Sequence, residues 1–456
     1  MFIKSIESEG LAHYSYIMGR KTEAVVIDPR RDCGEYIDIA SREGCRIRHV
    51  LETHRNEDYV IGSLELASRT GARIWHADSQ LEYGYGEPVE DGREWDVGGL
   101  KITAIHSPGH TPGSMSYLLR DDSGEPWVVF TGDALFAGDV GRVDLLGADR
   151  MEEMAGMLYE TLFEKILPLG DGVIVCPAHG SGSACGSDIS GRVWTTIGLE
   201  KKLNPKLRHE DRAAFVEEVG REMERPPYFR MMERLNIEGP PLLGPFVPPA
   251  PLTPEEFDEA AGGGFILDTR EITSFGAAHI EGSQSIWAGG VPSYAGWLLP
   301  YDRPLLLVGP EGDDLEEATR YLVRMGYDDI AGRLAGGIVP WHASGRDSRS
   351  IDTATVRELC GLLDGVEDIF VLDVRSEEEL DSTGRIPGAV HIHNTLLSGR
   401  TGELPKDRRI YIFCGSGLRS MSAASTLERK GWSDLTVVIG GLSAWSSSSC
   451  PLDLKE

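Results

Sequence analysis

The chain has 456 residues. Because a domain usually has roughly 150 residues, this length predicts about three domains with separate cores. Its 73 acidic and 45 basic residues give a formal charge of −28, which excludes nucleic acid and anionic membranes as partners because both would be repelled. The composition is that of a globular protein, and no apolar run reaches the roughly 18 residues of a membrane span. The N-terminus lacks the apolar segment of a signal peptide and the seven cysteines are scattered, so we expect free thiols and a cytoplasmic location.

Ligand-type side chains follow four apolar, strand-like runs in the first half of the chain. The four clusters are THRNED (53–58), SPGHTPGS (107–114), TGDALF (131–136) and PAHGSG (177–182). Polar side chains at the ends of successive strands are where α/β folds build their sites. The histidines and carboxylates that we expect to meet there are His54, Asp58, His110, Asp133 and His179. This combination predicts a metal site.

The order and spacing of these clusters resemble the metallo-β-lactamase fold, an αββα sandwich, in its glyoxalase II and persulfide dioxygenase branch. The first motif of that family is usually His-x-His-x-Asp-His, whereas this chain has HRNEDY at 54–59. Asn56 and Tyr59 therefore replace two imidazoles, and since both are poor zinc ligands a binuclear zinc site is not expected. His54, His110 and Asp133 remain, and two histidines with one carboxylate form the facial triad of mononuclear iron(II) oxygenases.

The resemblance implies that His54, His110 and Asp133 bind one Fe(II) per chain rather than zinc, with Asp58 and His179 orienting the ligands or bound water. It implies oxidation of a small-molecule persulfide by O2 to sulfite and a thiol, because the open metal positions allow both substrates to be ligated together. The alternative is a zinc-dependent thioester hydrolase, since glyoxalase II shares the fold. Cys185 is either a persulfide-accepting thiol near the metal or a buried inert cysteine.

A segment rich in proline and glycine at 239–254 separates the first half of the chain from an internal repeat. FILDTR (265–270) recurs as FVLDVR (370–375), and GGIVPW (336–341) recurs as GGLSAW (440–445). A spacing of about 105 residues is too long for a solenoid and indicates two copies of one small domain. Strands alternate with helices in each copy, which predicts a parallel sheet and a multidomain α/β chain. The predicted domains are 1–245, 251–346 and 352–456.

The last copy carries Cys414 between the strand IYIF and a helix. Backbone N–H groups of the loop formed by Gly415, Ser416, Gly417 and Leu418 converge on the sulfur, and the helix N-terminus favours a thiolate or a bound anion. Arg419 adds a charge suited to the oxygens of sulfite or thiosulfate. From LDVRSEEEL to GGLSAW this domain resembles the rhodanese sulfurtransferases, which implies that Cys414 carries a persulfide and that Cys414 and Arg419 are catalytic. The short loop fits sulfur, so a phosphatase is disfavoured.

The middle copy has Gly309 where the last copy has Cys414, and its loop reads GPEGDDLEE. Without a nucleophile it cannot form a persulfide, and Asp313 and Asp314 would repel anionic sulfur species. We therefore predict an inactive rhodanese-like domain that serves as a scaffold or docking element.

The whole chain resembles bacterial persulfide dioxygenase–sulfurtransferase fusions. The resemblance implies that sulfite from the iron centre accepts sulfur from Cys414 to give thiosulfate, or that thiosulfate supplies the sulfur in the opposite direction. Both directions use the same residues, so the sequence does not determine which direction the sulfur transfer takes. A further alternative is a sulfur carrier that passes persulfide to partners without oxidising it. A homo-oligomer is a reasonable expectation for such an enzyme.

Overall fold

The structure is a computed structural model that describes residues 1–209, 211–365 and 369–445. It divides into two compact units, one formed by residues 1–246 with 323–326 and the other by residues 247–322 with 327–456. The last residues of the predicted third domain, 446–456, lie outside the described residues, and so does Cys450. The boundaries of the three domains remain a prediction.

The first unit contains twelve strands and six α-helices among its described residues. The strands are β1 (Phe2–Ser8), β2 (His13–Arg20), β3 (Glu23–Ile27), β4 (Arg46–Leu51), β5 (Arg73–His76), β6 (Glu87–Pro88), β7 (Glu94–Val97), β8 (Leu100–His106), β9 (Met115–Arg120), β10 (Pro126–Gly132), β11 (Ile174–Pro177) and β12 (Thr195–Thr196). The helices are α1 (Gly34–Arg42), α2 (Ser63–Thr70), α3 (Met151–Glu160), α4 (Ile197–Leu203), α5 (Arg212–Val219) and α6 (Phe229–Glu238).

Two six-stranded sheets face each other in this unit, with the strand orders β1-β2-β3-β4-β5-β6 and β12-β11-β10-β9-β8-β7. The core between them joins Tyr16 and Leu51 of the first sheet to Tyr117 and Phe130 of the second. Helices α1 and α2 cover the outer face of the first sheet, and α3 and α5 cover that of the second. Strand β3 is apolar without alternation because both of its faces are buried. The expected αββα sandwich is confirmed.

The second unit contains ten strands and ten α-helices among its described residues. The strands are β13 (Pro251–Leu252), β14 (Phe265–Asp268), β15 (Gln284–Ser285), β16 (Leu305–Val308), β17 (Ile330–Leu334), β18 (Asp352–Thr355), β19 (Phe370–Asp373), β20 (Val390–His391), β21 (Ile410–Phe413) and β22 (Leu435–Ile439). The helices are α7 (Pro254–Ala261), α8 (Ile272–Ala277), α9 (Val291–Leu298), α10 (Glu316–Arg324), α11 (Ile338–Ala343), α12 (Val356–Gly365), α13 (Glu377–Thr383), α14 (Leu397–Arg400), α15 (Leu418–Arg429) and α16 (Gly441–Trp445). Throughout the described part of the chain, every helix is too short or too polar to cross a bilayer.

The two sheets of this unit have the same topology. Their strand orders are β13-β17-β16-β14-β15 and β18-β22-β21-β19-β20, and the paired strands are parallel in both. Each strand of the first sheet therefore has a counterpart at the same place in the second. The internal repeat predicted from the sequence is confirmed as two copies of one parallel α/β fold.

A buried polar network joins the two copies through α15. The amide nitrogen of Gln284 donates to the hydroxyl of Ser425 at 2.9 Å, and its amide oxygen accepts from the hydroxyl of Thr426 at 3.0 Å. Buried amides stabilise only when both ends are paired, as they are here. The middle copy thus holds the helix that follows the Cys414 loop.

The cysteines differ from the expectation at one position. Five described cysteines are free thiols, namely Cys33, Cys45, Cys176, Cys185 and Cys414. Cys360 is disulfide-bonded, so the prediction of free thiols throughout is wrong at this residue. Spacing along a chain does not determine which cysteines approach within the few ångströms that a disulfide requires.

Candidate functional site

The four polar clusters of the first unit lie at the ends of strands of the two facing sheets. His54 follows β4, His110 lies between β8 and β9, Asp133 follows β10 directly, and His179 follows β11. All four side chains are buried. The structure therefore brings together residues that are separated by more than a hundred positions in the sequence.

Three of these side chains point their free atoms at one another. Nε2 of His110 lies 3.4 Å from Oδ2 of Asp133, and Nε2 of His54 lies 3.7 Å from the same oxygen. All three atoms are buried without a hydrogen-bond partner. Buried polar atoms are costly unless they are paired, and this spacing suits donors around one ion at bond lengths of about 2.1 Å. The residues present therefore fit a bound metal ion.

The far sides of the two imidazoles are held by hydrogen bonds. Nδ1 of His110 lies 3.0 Å from the carbonyl oxygen of Arg142. Nδ1 of His54 lies 2.9 Å from the hydroxyl of Thr53, which donates to Asp28. Because Nδ1 is engaged in both rings, Nε2 is left to bind a metal.

Asp58 and His179 lie directly behind Asp133. Nδ1 of His179 is 2.8 Å from Oδ1 of Asp133, and its Nε2 is 2.9 Å from Oδ2 of Asp58. Burial by itself would raise the pKa of the Asp133 carboxyl, but the imidazoles of His179, His54 and His110 outweigh it and hold that pKa well below its usual range. With Oδ1 paired to His179, Oδ2 is directed at His54 and His110.

Glu57 is a member of this cluster that the sequence reasoning missed. Its Oε2 lies 3.4 Å from Nε2 of His110 and 4.0 Å from Nε2 of His54, and it is buried without a hydrogen-bond partner. The available signal was an acidic side chain inside HRNEDY, at a position that the family motif leaves variable. Asn56, where the motif has an imidazole, instead donates to the carbonyl oxygen of His54 at 3.3 Å.

Cys185 also lies beside the cluster. Its sulfur is within 4.8 Å of ligand atoms of His110 and Asp133, and the side chain packs with Phe136 and Ile189. Burial raises the pKa of the Cys185 thiol well above its usual value, and nearby carboxylates raise it further. A neutral thiol is a poor nucleophile, so the structure favours a packing role for this residue.

The Cys414 loop in the second unit lies between a strand and a helix, as the sequence predicted, and one loop N–H group contacts the sulfur. Cys414 follows β21 and is fully buried, and the backbone N–H of Gly417 donates to its sulfur at 3.1 Å. Gly417 has φ +108°, a conformation that glycine adopts without strain and that begins α15. The sulfur therefore lies at the N-terminus of a twelve-residue helix.

Arg419 is already paired, which the sequence did not reveal. Its guanidinium forms two bonds to the Glu379 carboxylate, at 2.5 and 2.6 Å. Burial alone would raise the pKa of Glu379, but the bonds from Arg419 and from the backbone of Ser376 lower it to about 2. Any anion that binds Arg419 must share it with this carboxylate. A capping box, Ser376 followed three residues later by Glu379, was the signal for a helix start here but not for this contact.

In the middle copy, a neighbouring side chain fills the space at Gly309, the position that corresponds to Cys414. A Cβ atom added to Gly309 would lie 2.3 Å from Cδ2 of Leu315, whose side chain is buried. The Asp313 and Asp314 carboxylates accept hydrogen bonds from the backbone N–H groups of Leu315 and Glu316, at the start of α10. In the middle copy, Leu315 thus fills the space beside Gly309, and loop carboxylates pair with the amides at the start of the helix.

The comparisons with known proteins agree with this description. The profile of the metallo-beta-lactamase superfamily matches residues 9–179, and that of the rhodanese-like domain matches residues 253–344 and 355–448. Human mitochondrial persulfide dioxygenase ETHE1 is 30% identical over 203 residues, which are 42% of this chain and 71% of that protein. Hydroxyacylglutathione hydrolase GloC of Haemophilus influenzae is 28% identical over 218 residues, 42% of this chain and 91% of that protein. The crystal structure of a metallo-beta-lactamase from Staphylococcus aureus matches with TM-score 0.65 and 31% identity, over 74% of this chain and 98% of that chain.

An αββα sandwich with buried imidazoles and carboxylates at its strand ends is the architecture of a class of metal-binding hydrolases and oxygenases. This chain belongs to the metallo-beta-lactamase superfamily, and two rhodanese-like domains follow its N-terminal domain. The family resemblance and the multidomain α/β fold expected from the sequence are therefore confirmed.

Gly441→Ala should destabilise the last domain. A Cβ at this position would lie 2.2 Å from the carbonyl oxygen of Cys414, so the loop must shift, at a cost of about 1–3 kcal/mol. Differential scanning calorimetry of the full chain should show one transition at a lower temperature. Gly431→Ala is the matched control, because Gly431 also has positive φ but has no atom within 4 Å of the added Cβ. Equal shifts in the two variants would contradict the close contact.

Gly309→Cys, made together with Cys414→Ser, should not create a sulfur-accepting thiol. Leu315 fills the space that the new side chain would need. Mass spectrometry after incubation with thiosulfate should find no added sulfur on the peptide that contains position 309. An added sulfur on that peptide would show that Leu315 yields readily and that the missing thiol alone separates the two copies.

Proposed function

We propose that the chain oxidises the terminal sulfur of a thiol persulfide with O2 at one iron(II), and that it exchanges sulfur with sulfite or thiosulfate through Cys414. In the first reaction, persulfide, O2 and water give thiol, sulfite and two protons. In the second, the outer sulfur of a Cys414 persulfide passes to sulfite, which gives thiosulfate and the Cys414 thiol, or the reverse occurs.

The observation that supports this proposal most directly is the convergence of unpartnered atoms on His54, His110 and Asp133. Two imidazoles and one carboxylate are the ligand set of mononuclear iron oxygenases, and Asn56 and Tyr59 do not supply a second set. The resemblance to persulfide dioxygenases of other organisms and the two rhodanese-like domains connect this set to sulfur chemistry.

The protein's own residues would prepare the centre for this reaction. His54, His110 and Asp133 would hold the metal, while His179 and Asp58 keep the Asp133 carboxylate in place. When bound, iron(II) would supply the redox chemistry that lets O2 react with sulfur. The apolar cluster of Phe136, Cys185 and Ile189 beside the ligands would exclude water from the reacting sulfur.

In the last domain, the backbone N–H of Gly417 donates a hydrogen bond to the Cys414 sulfur, which would hold the sulfur in place for transfer. The Arg419 guanidinium would contact the oxygens of sulfite or thiosulfate while Glu379 fixes its orientation. A chain with both centres can consume the sulfite that its iron centre produces, which is the chemical reason for the fusion.

A zinc-dependent thioester hydrolase is the second candidate, because the hydrolase GloC matches this chain over 91% of its own length. Metal content and substrate use separate the two functions. The dioxygenase should contain about one iron per chain and consume O2 when glutathione persulfide is added. Two zinc ions per chain with rapid cleavage of S-lactoylglutathione would instead establish the hydrolase.

His54→Ala and Asp133→Ala should each abolish iron retention and persulfide-dependent O2 uptake, because each removes a ligand of the metal. Metal analysis and an oxygen electrode measure both effects. Sulfur transfer from thiosulfate to a thiol should remain, since Cys414 lies in the other unit. A His54→Ala protein that keeps its iron and consumes O2 at the normal rate would remove His54 from the ligand set.

Cys414→Ser should eliminate sulfur transfer between thiosulfate and thiols while persulfide oxidation continues. The product of persulfide oxidation should then shift from thiosulfate to sulfite, because sulfite has lost its sulfur donor. Ion chromatography of both products provides the measurement. In the wild type, incubation with thiosulfate should add one sulfur atom to the peptide that contains Cys414. Sulfur transfer would instead belong to the first domain if the added sulfur were found on Cys185 and the Cys414→Ser variant still formed thiosulfate.

A further inference from the structure

The Glu57 carboxylate occupies an unusual position for a residue outside the expected ligand set. It is fully buried, and its Oε2 is one of the unpartnered atoms that converge with Nε2 of His54 and Nε2 of His110. The distances of 4.0 and 3.4 Å from these nitrogens resemble those of Asp133, which are 3.7 and 3.4 Å. The two carboxylates therefore have equivalent relations to the two imidazoles.

The other oxygen of Glu57 is held in place. Nη2 of Arg55 donates to Oε1 of Glu57 at 3.0 Å and also contacts Oε1 of Glu233 at 3.2 Å. This pairing leaves Oε2 facing the histidines, as the pairing of Asp133 with His179 leaves its Oδ2. A carboxylate with one oxygen anchored and the other directed at imidazole nitrogens is oriented as a metal ligand.

An ion pair between Glu57 and His110 would engage only these two atoms and would leave Nε2 of His54 and Oδ2 of Asp133 without a partner. Nδ1 of His110 faces the carbonyl oxygen of Arg142 at 3.0 Å and must carry a proton to bond it. The 3.4 Å separation of Nε2 from Oε2 is also longer than an ordinary N–H···O hydrogen bond. His54, Glu57 and His110 instead offer ligand atoms that all lie within 4.8 Å of one another, a spacing that suits a shared cation.

We propose that Glu57 is a fourth protein ligand of this metal, so that the site consists of two histidines and two carboxylates. The inference rests on the single metal site of the proposed function and adds a ligand to it. The two carboxylates would neutralise a divalent ion, which favours retention of the metal in a buried site. On a six-coordinate ion, four protein ligands leave two open positions, the number that a persulfide and O2 require.

The test compares Glu57→Gln with Glu233→Gln. Both substitutions remove a carboxylate that pairs with Arg55, but only Glu57 faces the histidines. Competition with a chelator should show that Glu57→Gln raises the dissociation constants for Fe(II) and Zn(II) at least tenfold, whereas Glu233→Gln raises them less than threefold. Equal changes in the two variants would overturn the proposal, because the effect would then pass through Arg55.

Thermal unfolding separates loss of a ligand from loss of the fold. Without metal, Glu57→Gln should still unfold in one cooperative transition, because Gln keeps the size of Glu57 and its amide oxygen can accept the hydrogen bond from Arg55. Added Zn(II) should raise the unfolding temperature of the variant less than that of the wild type, because metal binding stabilises only the folded state. A metal-free variant that is already unfolded would make Glu57 a structural residue and overturn the proposal.

Anomalous diffraction from crystals of the Fe(II)-loaded full-length chain shows the contact directly. Oε2 of Glu57 should be bonded to the metal; a water molecule between the two would overturn the proposal. This outcome is independent of catalysis. If Glu57 binds the metal but persulfide causes no O2 uptake, the proposed function fails and the ligand assignment stands. If persulfide causes O2 uptake but Glu57 does not bind the metal, the proposed function stands and the ligand assignment fails.

Discussion

The N-terminal domain depends on one costly arrangement, the burial of several polar atoms that have no partner within the protein. Oδ2 of Asp133 and the Nε2 atoms of His54 and His110 converge at the strand ends but form no hydrogen bonds with one another. Burying such groups costs several kcal/mol unless a cation or another partner compensates, so the surrounding structure must enforce the arrangement. It does so through bonds on the far side of each ligand, from the backbone of Arg142, the hydroxyl of Thr53 and the imidazole of His179.

The two rhodanese-like domains differ most clearly at the position of Cys414. Their sheets have the same strand order, and Gly309 occupies the position that corresponds to Cys414. In the middle copy, Leu315 occupies the space beside Gly309, and carboxylates of its own loop take up the amides at the start of α10. The middle copy thus lacks both the nucleophile and the space beside it, and it contacts α15 through Gln284.

Both candidate centres include a charged partner that the family motifs do not reveal. Glu57 faces the histidines of the first site, and Glu379 binds the arginine of the second. Glu57 is paired with Arg55, two residues earlier in the chain, and Glu379 is paired with Arg419, 40 residues later. These partners affect how much charge each site carries and how many positions remain for substrates.

The sequence alone indicated the internal repeat and the candidate residues His54, His110, Asp133 and Cys414, and its resemblance to known families implied the αββα class and the order of the domains. Strand-like runs with ligand-type side chains at their ends predict a site wherever the strands of a fold end together. Only the tertiary structure decided which atoms of those residues are free and what lies beside them. Glu57, Glu379 and Leu315 acquire their importance from contacts set by side-chain direction and packing across the fold. The disulfide at Cys360 likewise depends on proximity in space, which the spacing of cysteines along the chain does not encode.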